Sequence, residues 1–231
     1  MKVVALVQAR AGSKRLPGKV LADVGGIPLL AHSLRRARAA QRIDEVVLAT
    51  TELVRDAPVA AVAATEGVAV HRGSEDDVLR RMLDAARAAE ADAVVRLTAD
   101  CPLLDPGVID HVVAALVDEQ PRVDYASNVL DRTYPKGLDC EALWTSTLAR
   151  IDELAVSPEA REHVTWFAYC GRPDLFELRS VTGAPDGSGL DWSVDTADDL
   201  ERVRRMVGLL QAPDEPIAWH DLLLRASVDR A

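Results

Sequence analysis

Four cations, Arg10, Lys14, Arg15 and Lys19, share one stretch with two glycines and a proline, Gln8-Ala9-Arg10-Ala11-Gly12-Ser13-Lys14-Arg15-Leu16-Pro17-Gly18-Lys19. It follows directly on the apolar run Val3-Val4-Ala5-Leu6-Val7. The backbone amides of a glycine-rich loop, joined by guanidinium and ammonium groups, are what a polyphosphate requires. Loops at the carboxyl ends of buried strands are where open α/β sheets bind such ligands. The spacing excludes the two commonest phosphate motifs. A Walker A loop places four residues between its first glycine and Gly-Lys, then Ser or Thr. Here five residues separate Gly12 from Gly18-Lys19, and Val20 follows. A Gly-x-Gly-x-x-Gly fingerprint is absent. The stretch predicts a nucleoside triphosphate held by a different loop chemistry.

Three further clusters fall at the ends of expected strands: Arg72-Gly73-Ser74-Glu75-Asp76-Asp77, Thr98-Ala99-Asp100-Cys101-Pro102-Leu103, and Asp195 after Leu190–Val194. If these strands share one sheet and one direction, Asp100 and Asp195 converge beside the first loop. Mg²⁺ suits such a place, since it takes one or two carboxylates and completes its shell with phosphate oxygens and water. Each residue alone has a plainer reading. Asp195 caps the next helix, Asp100 caps a turn ahead of Pro102, Arg72 is a surface charge, and Asp77 begins a helix. Lys14 and Arg15 fit a solvated loop better than Arg10 and Lys19 do. Co-location at successive strand ends is what favours a site. Lys136, Asp139, Glu141, Arg161 and His163 read either as a wall facing an acceptor substrate or as a contact between two copies of the chain. A lone helical histidine is more often structural. The five histidines show no metal-ligand spacing, so no zinc site is expected.

The elements that must position these residues are legible from periodicity. Val3–Val7, Val46–Thr50, Val68–Val70 and Ala93–Leu97 read as buried strands. Between them, Leu30, Leu34 and Ala37 share one helical face after Pro28, and Val78, Met82 and Ala86 share another. Asp105-Pro106 starts a helix that carries Ile109, Val112, Val113 and Leu116 inward. Alternating strands and helices predict a largely parallel sheet. Residues 125–185 read as an excursion from it, with helices at Thr147–Leu154 and Pro158–Cys170 and a strand at Phe176–Val181. The pattern resumes with a strand at Leu190–Val194, a helix at Leu200–Val207 opened by Thr196 and Asp199, and a last helix around Ile217–Leu224. The chain of 231 residues is 48% apolar and 28% charged, the balance of a globular domain. Its formal charge of −10 argues against a general nucleic-acid binder. No apolar run is long enough for a membrane span, and no signal peptide is visible at Met1-Lys2. Cys101, Cys140 and Cys170 are odd in number and widely spaced, as expected of reduced thiols in a cytoplasmic protein.

With these residues assembled, the chain resembles the cytidylyltransferase family that makes CMP-activated sugars, including the CMP-sialic acid and CMP-Kdo synthetases. The likeness is closest to the branch called spore coat polysaccharide biosynthesis protein F. It is carried by Gln8 to Lys19, Arg72 to Leu79, Arg96 to Leu103, Tyr134 to Asp139, Arg161 to Thr165 and Trp192 to Thr196, in order along the chain. The resemblance implies an α/β, Rossmann-like nucleotidyltransferase fold akin to A-type glycosyltransferases, one domain over residues 1–231. It implies a mixed sheet flanked by helices and an inserted dimerisation and substrate segment at 125–185. It also implies that Arg10 and Lys19 hold the phosphates of CTP, with Gln8, Ala9, Gly12 and Ser13 lining the loop. Arg72 and Ser74 would lie against cytosine and ribose, and Asp100 and Asp195 would ligate Mg²⁺. The expected reaction is attack of a sugar-like hydroxyl on the α-phosphorus with release of pyrophosphate, in a homodimer without nucleic-acid or membrane partners. Lys136, Asp139, Glu141, Arg161 and His163 are the residues expected to meet the acceptor. Two rivals stand beside it: a sugar-1-phosphate nucleotidyltransferase using another nucleotide, and a non-catalytic nucleotide-binding module.

Overall fold

A computed structural model of the chain describes residues 1–118, 123–212 and 215–228. The elements in chain order are β1 (Val3–Gln8), β2 (Asp23–Val24), β3 (Ile27–Pro28), α1 (Leu29–Ala39), β4 (Glu45–Thr51), α2 (Ala57–Thr65), β5 (Ala69–Gly73), α3 (Val78–Ala88) and β6 (Ala93–Thr98). They continue with α4 (Pro106–Val117), β7 (Tyr125–Ser127), β8 (Glu141–Trp144), α5 (Thr145–Leu154), α6 (Pro158–His163), β9 (Leu178–Ser180), α7 (Ala197–Val207) and α8 (Trp219–Val228). Seven strands form one sheet in the order β5-β4-β1-β6-β8-β7-β9, and β2 and β3 pair separately. The strands β5, β4, β1 and β6 run parallel; β1 and β4 carry the continuous apolar runs of strands covered on both faces, whereas β5, at the edge, is largely exposed. In β1, Val3, Ala5 and Val7 face one core with α1, α2 and α4, while Val4 and Leu6 face the other with α3, α5 and α6.

The segment 125–185 departs from the parallel pattern but not from the sheet. Strand β8 pairs antiparallel with β6, and β7 and β9 extend that edge. The alternation of Ala142 and Leu143 between the two cores supplies the reason, because each residue buries its side chain on one face of the growing sheet. The expected helix Pro158–Cys170 is broken. It ends at His163, Val164 takes φ 55°, and a single π-helical turn follows at Phe167–Gly171. The break turns the Thr165 hydroxyl onto the Glu141 carboxylate inside the protein. No described helix is long and apolar enough to cross a membrane.

The expected strand Leu190–Val194 does not form. That segment makes one isolated bridge, Lys136 to Asp191, and its amides bond outside the sheet: Trp192 N–H to the Lys136 carbonyl at 2.7 Å and Val194 N–H to the Asp100 carbonyl at 2.9 Å. Its alternating apolar side chains serve a third core instead, where Trp192 and Val194 pack with Tyr134, Leu138, Trp219 and Leu222. Gly137 makes this close approach possible. Its φ is +100°, and a Cβ there would lie 2.6 Å from Ser193 N. Gly137→Ala is expected to cost about 2–3 kcal/mol, read as a fall of roughly 5–10 °C in Tm. An unchanged melting curve would show that the contact is not confining.

Candidate active site

The loop after β1 closes on itself before it meets any ligand. The Ala11 carbonyl accepts from both Ser13 N–H and Gly18 N–H at 2.9 Å. Gly18 has φ +73°, a left-handed conformation that glycine adopts without a side-chain penalty, and a short turn at Lys19–Leu21 follows. This geometry drives Lys19 inward, where it is 9% exposed. Its ammonium lies 2.6 Å from the Val194 carbonyl, 2.9 Å from Asp100 Oδ2 and 2.9 Å from Asp195 Oδ1. All three protons are thus directed at protein oxygens. A phosphate that reaches Lys19 must displace one of them. Burial alone would lower the Lys19 pKa, but the two carboxylates outweigh it and raise the pKa above its ordinary value.

Asp100 follows β6 and Asp195 follows the bridged segment, so the Val194–Asp100 backbone bond joins the two carboxylates' main chains. Burial would raise the Asp195 pKa, but Lys19, Arg15 and Lys136 hold it below the usual carboxylate range. Arg15 reaches Asp195 Oδ1 at 2.8 Å, and Lys136 stands 3.7 Å from its Oδ2. Lys19 therefore leaves one oxygen of each carboxylate to other partners: Asp100 Oδ1, 3.7 Å from the Cys101 thiol, and Asp195 Oδ2, 3.7 Å from the Lys136 ammonium. Two acidic oxygens on converging side chains beside an open cleft fit a hard divalent cation that takes its other ligands from phosphate and water.

Asp195 is aligned from behind. Asp199 Oδ2 accepts from Asp195 N–H, Thr196 N–H and the Thr196 hydroxyl, and Thr196 in turn caps Asp199 N–H. This is the capping box expected at the head of α7. Burial acts to raise the Asp199 pKa, yet these bonds and Arg202 bring it down to about 2. A depressed carboxylate contributes stability above its unfolded pKa and loses it as pH falls through the folded value. Asp199→Asn is thus expected to cost on the order of 2 kcal/mol near neutrality, with the difference fading between about pH 4 and pH 2. Melting curves across that range check the sign, and a difference as large at pH 2 as at pH 6 would contradict it.

A cleft of about 320 Å³ runs over the loop, lined by Gln8, Ala9, Arg10, Gly12, Ser13, Lys14, Arg15, Lys19, Asp100, Glu162 and Asp195 among others. A second recess of about 730 Å³ continues from it past Arg10, Gly12 and Lys14 to Arg55, Ser74, Asp77 and Arg161. Arg81 passes under the Ser74 turn and donates to the Ser74 carbonyl, and Gly73 packs closely on it: a Cβ there would be 3.1 Å from Arg81 Cγ. Burial is the main reason that the Arg81 pKa falls to about 10.

The structure gathers Gln8, Ala9, Arg10, Gly12, Ser13, Lys19, Asp100 and Asp195 around one cleft, with Ser74 and Arg161 on the adjoining recess. Arg72, Lys136, Asp139, Glu141 and His163 line neither. Arg72 lies along the edge strand β5 and donates to the Thr51 and Leu53 carbonyls, which turns its guanidinium to the rim of the sheet. Glu141 is 6% exposed and tied to Arg96, the Tyr125 hydroxyl and Thr165. That placement makes it a buried ion-pair member rather than a surface for an acceptor. Asp139 pairs through both oxygens with Arg132, His163 is exposed at the end of α6, and Arg161 is held by Asp77 and Asp152. Lys136 stands at the edge of the carboxylate pair, on Asp191 and Asp195. Sequence reasoning passed over Arg55, Asp56 and Glu162, which reach the site only through folding, and set Arg15 aside although it pairs with Asp195. Glu162 had a visible signal, since it sits between Arg161 and His163 in a stretch already singled out.

Comparison with known proteins shows which family the chain and its fold resemble. Residues 4–180 match the family described as cytidylyltransferase. The chain is 30% identical over 212 residues to the spore coat polysaccharide biosynthesis protein SpsF of Bacillus subtilis (strain 168), covering 88% of this chain and 85% of that one. It is 32% identical over 238 residues to a 3-deoxy-manno-octulosonate cytidylyltransferase of Anaeromyxobacter dehalogenans (strain 2CP-C), covering 89% and 97%. Its fold superposes on the structure of a cytidylyltransferase from Leptospira borgpetersenii serovar Hardjo-bovis (strain JB197) with a TM-score of 0.94 and 32% identity, over 100% of this chain and 95% of the other.

Proposed function

The chain belongs to the cytidylyltransferase family, and from that premise we propose that it transfers CMP from CTP to a hydroxyl of a sugar or sugar-like acceptor, using Mg²⁺ and releasing pyrophosphate. The observation that carries this reading is the convergence of Asp100 and Asp195 on the Lys19 ammonium at the floor of the loop cleft. In such a reaction the acceptor oxygen forms a bond to the α-phosphorus as the bond from that phosphorus to pyrophosphate breaks. The protein has little covalent work to do; it must hold the partners in line and balance negative charge. In this reading Arg10, Lys14 and Arg15, the more exposed cations lining the cleft, meet the triphosphate oxygens together with the loop amides. Lys19 keeps the two carboxylates together and offsets their mutual repulsion. Asp100 and Asp195 would hold Mg²⁺, whose charge would help neutralise the departing pyrophosphate.

In this reading Lys136, on the rim beside Asp195, faces the acceptor side, and the working unit is a homodimer. Pyrophosphate release measured with CTP, UTP, GTP and dTTP against a panel of sugars, sugar acids and sugar 1-phosphates tests the assignment. Turnover with CTP and a free sugar hydroxyl is expected. Turnover only with another nucleotide and a sugar 1-phosphate would replace it, and nucleotide binding without any release would reduce the protein to a binding module.

A further inference from the structure

The turn Val54–Asp56, between β4 and α2, touches the loop at two successive residues. Asp56 is fully buried and accepts the Ala11 N–H at 2.6 Å, with the Thr51 hydroxyl on its other oxygen. Its neighbour Arg55 lies over Gly12 so closely that a Cβ on that glycine would be 3.1 Å from Arg55 Nη2. The Arg55 guanidinium then pairs with Glu75 Oε1. Arg10 Nη1 approaches the same oxygen at 3.4 Å, while its Nη2 stands 3.9 Å from Glu162 Oε1. One carboxylate oxygen therefore serves two guanidiniums, and the closer of them is Arg55. Arg10, Arg55, Glu75 and Glu162 line the same recess beside the loop, with Asp56 buried behind it.

We propose that Arg55 is a positioning residue for nucleotide binding: by occupying Glu75 it keeps Arg10 available to the ligand's phosphates. The inference rests on the nucleotide reading given above. A carboxylate and a phosphate compete for the same guanidinium, and an unneutralised Glu75 would both capture Arg10 and repel the incoming anion. Arg55 supplies the neutralising charge from outside the loop, and Asp56 on the same turn fixes the loop backbone to which Arg10 belongs. Arg55 acts through Arg10 rather than on the reacting atoms, so its effect belongs to binding and not to the chemical step.

Calorimetric titration of CTP with Mg²⁺ into the full chain tests this, with Arg55→Met, Glu75→Gln and the double variant compared. Arg55→Met should weaken CTP binding about fivefold to twentyfold while leaving kcat at saturating CTP unchanged. Glu75→Gln should bind at least as tightly as wild type, and the double variant should return to within about twofold of Glu75→Gln. Arg55→Lys should retain most of the affinity. Wild-type affinity in Arg55→Met, or a double variant as weak as Arg55→Met, overturns the inference and leaves the nucleotide reading standing. Absence of CTP binding by wild type overturns that reading and this inference together. Arg55 is half exposed, with 53% of its side chain in solvent, so its replacement should leave the core intact, and melting temperatures within about 2 °C of wild type are the expected check.

Discussion

Asp195→Asn is expected to lower kcat by at least about 100-fold while the protein folds normally. The amide keeps the shape and one acceptor oxygen, so the Lys19 and Arg15 contacts at 2.9 and 2.8 Å have a neutral partner in place of a charged one. What disappears is the negative charge around which Lys19, Arg15 and Lys136 are arranged. Half of the acidic donor set for the divalent cation goes with it. Single-turnover measurements at rising Mg²⁺ check the assignment. A rate within about threefold of wild type at limiting Mg²⁺ would remove Asp195 from the metal site, and the proposed chemistry would need another ligand.

Lys19→Met should act on both stability and turnover. Removing one partner of a buried ion pair leaves the other charge uncompensated. With Asp100 and Asp195 only partly shielded from water, a cost of about 2–3 kcal/mol is expected rather than the larger figure for a fully buried pair. The Val194 carbonyl also loses a donor at 2.6 Å. The two carboxylates then face each other without their shared ammonium. Mn²⁺ binding in the absence of nucleotide, followed by paramagnetic resonance, should therefore tighten, because no lysine competes for the carboxylates. Turnover should fall by at least about 100-fold, since the cation that sets the separation of Asp100 and Asp195 is gone. Unchanged Mn²⁺ affinity, with unchanged stability, would show that Lys19 does not hold the pair.

The loop after β1 was legible because local rules govern it. Val3 to Val7 is apolar at every position, which demands two covered faces, and both are present. Gly18 marks where the chain must turn left-handed, and Asp100 follows β6 as its strand boundary required. The capping of α7 by Thr196 and Asp199 was equally local, since its partners are three residues apart. Two errors share one origin. Leu190–Val194 alternates like a strand but gives its amides to Lys136 and Asp100, because the apolar face it needs is the third core and not the sheet. The helix after Pro158 has helical periodicity through Cys170, but Thr165 is drawn to the buried Glu141 and the helix stops at His163.

Charged side chains divide along the same line. Sequence alone determined the parallel α/β half, the loop's place at the end of its first strand, and the set of residues from which an anion site can be built, because periodicity and turn chemistry act over a few residues. Folding alone decided which of those residues meet. Lys19 finds Asp100 81 residues away and Asp195 176 residues away, Arg55 comes to rest on Gly12, and Glu141 turns inward to Arg96. The physical reason is that a charge chooses its partner by distance and desolvation, and both are set only when the sheet, the bridged segment and the third core have closed around it.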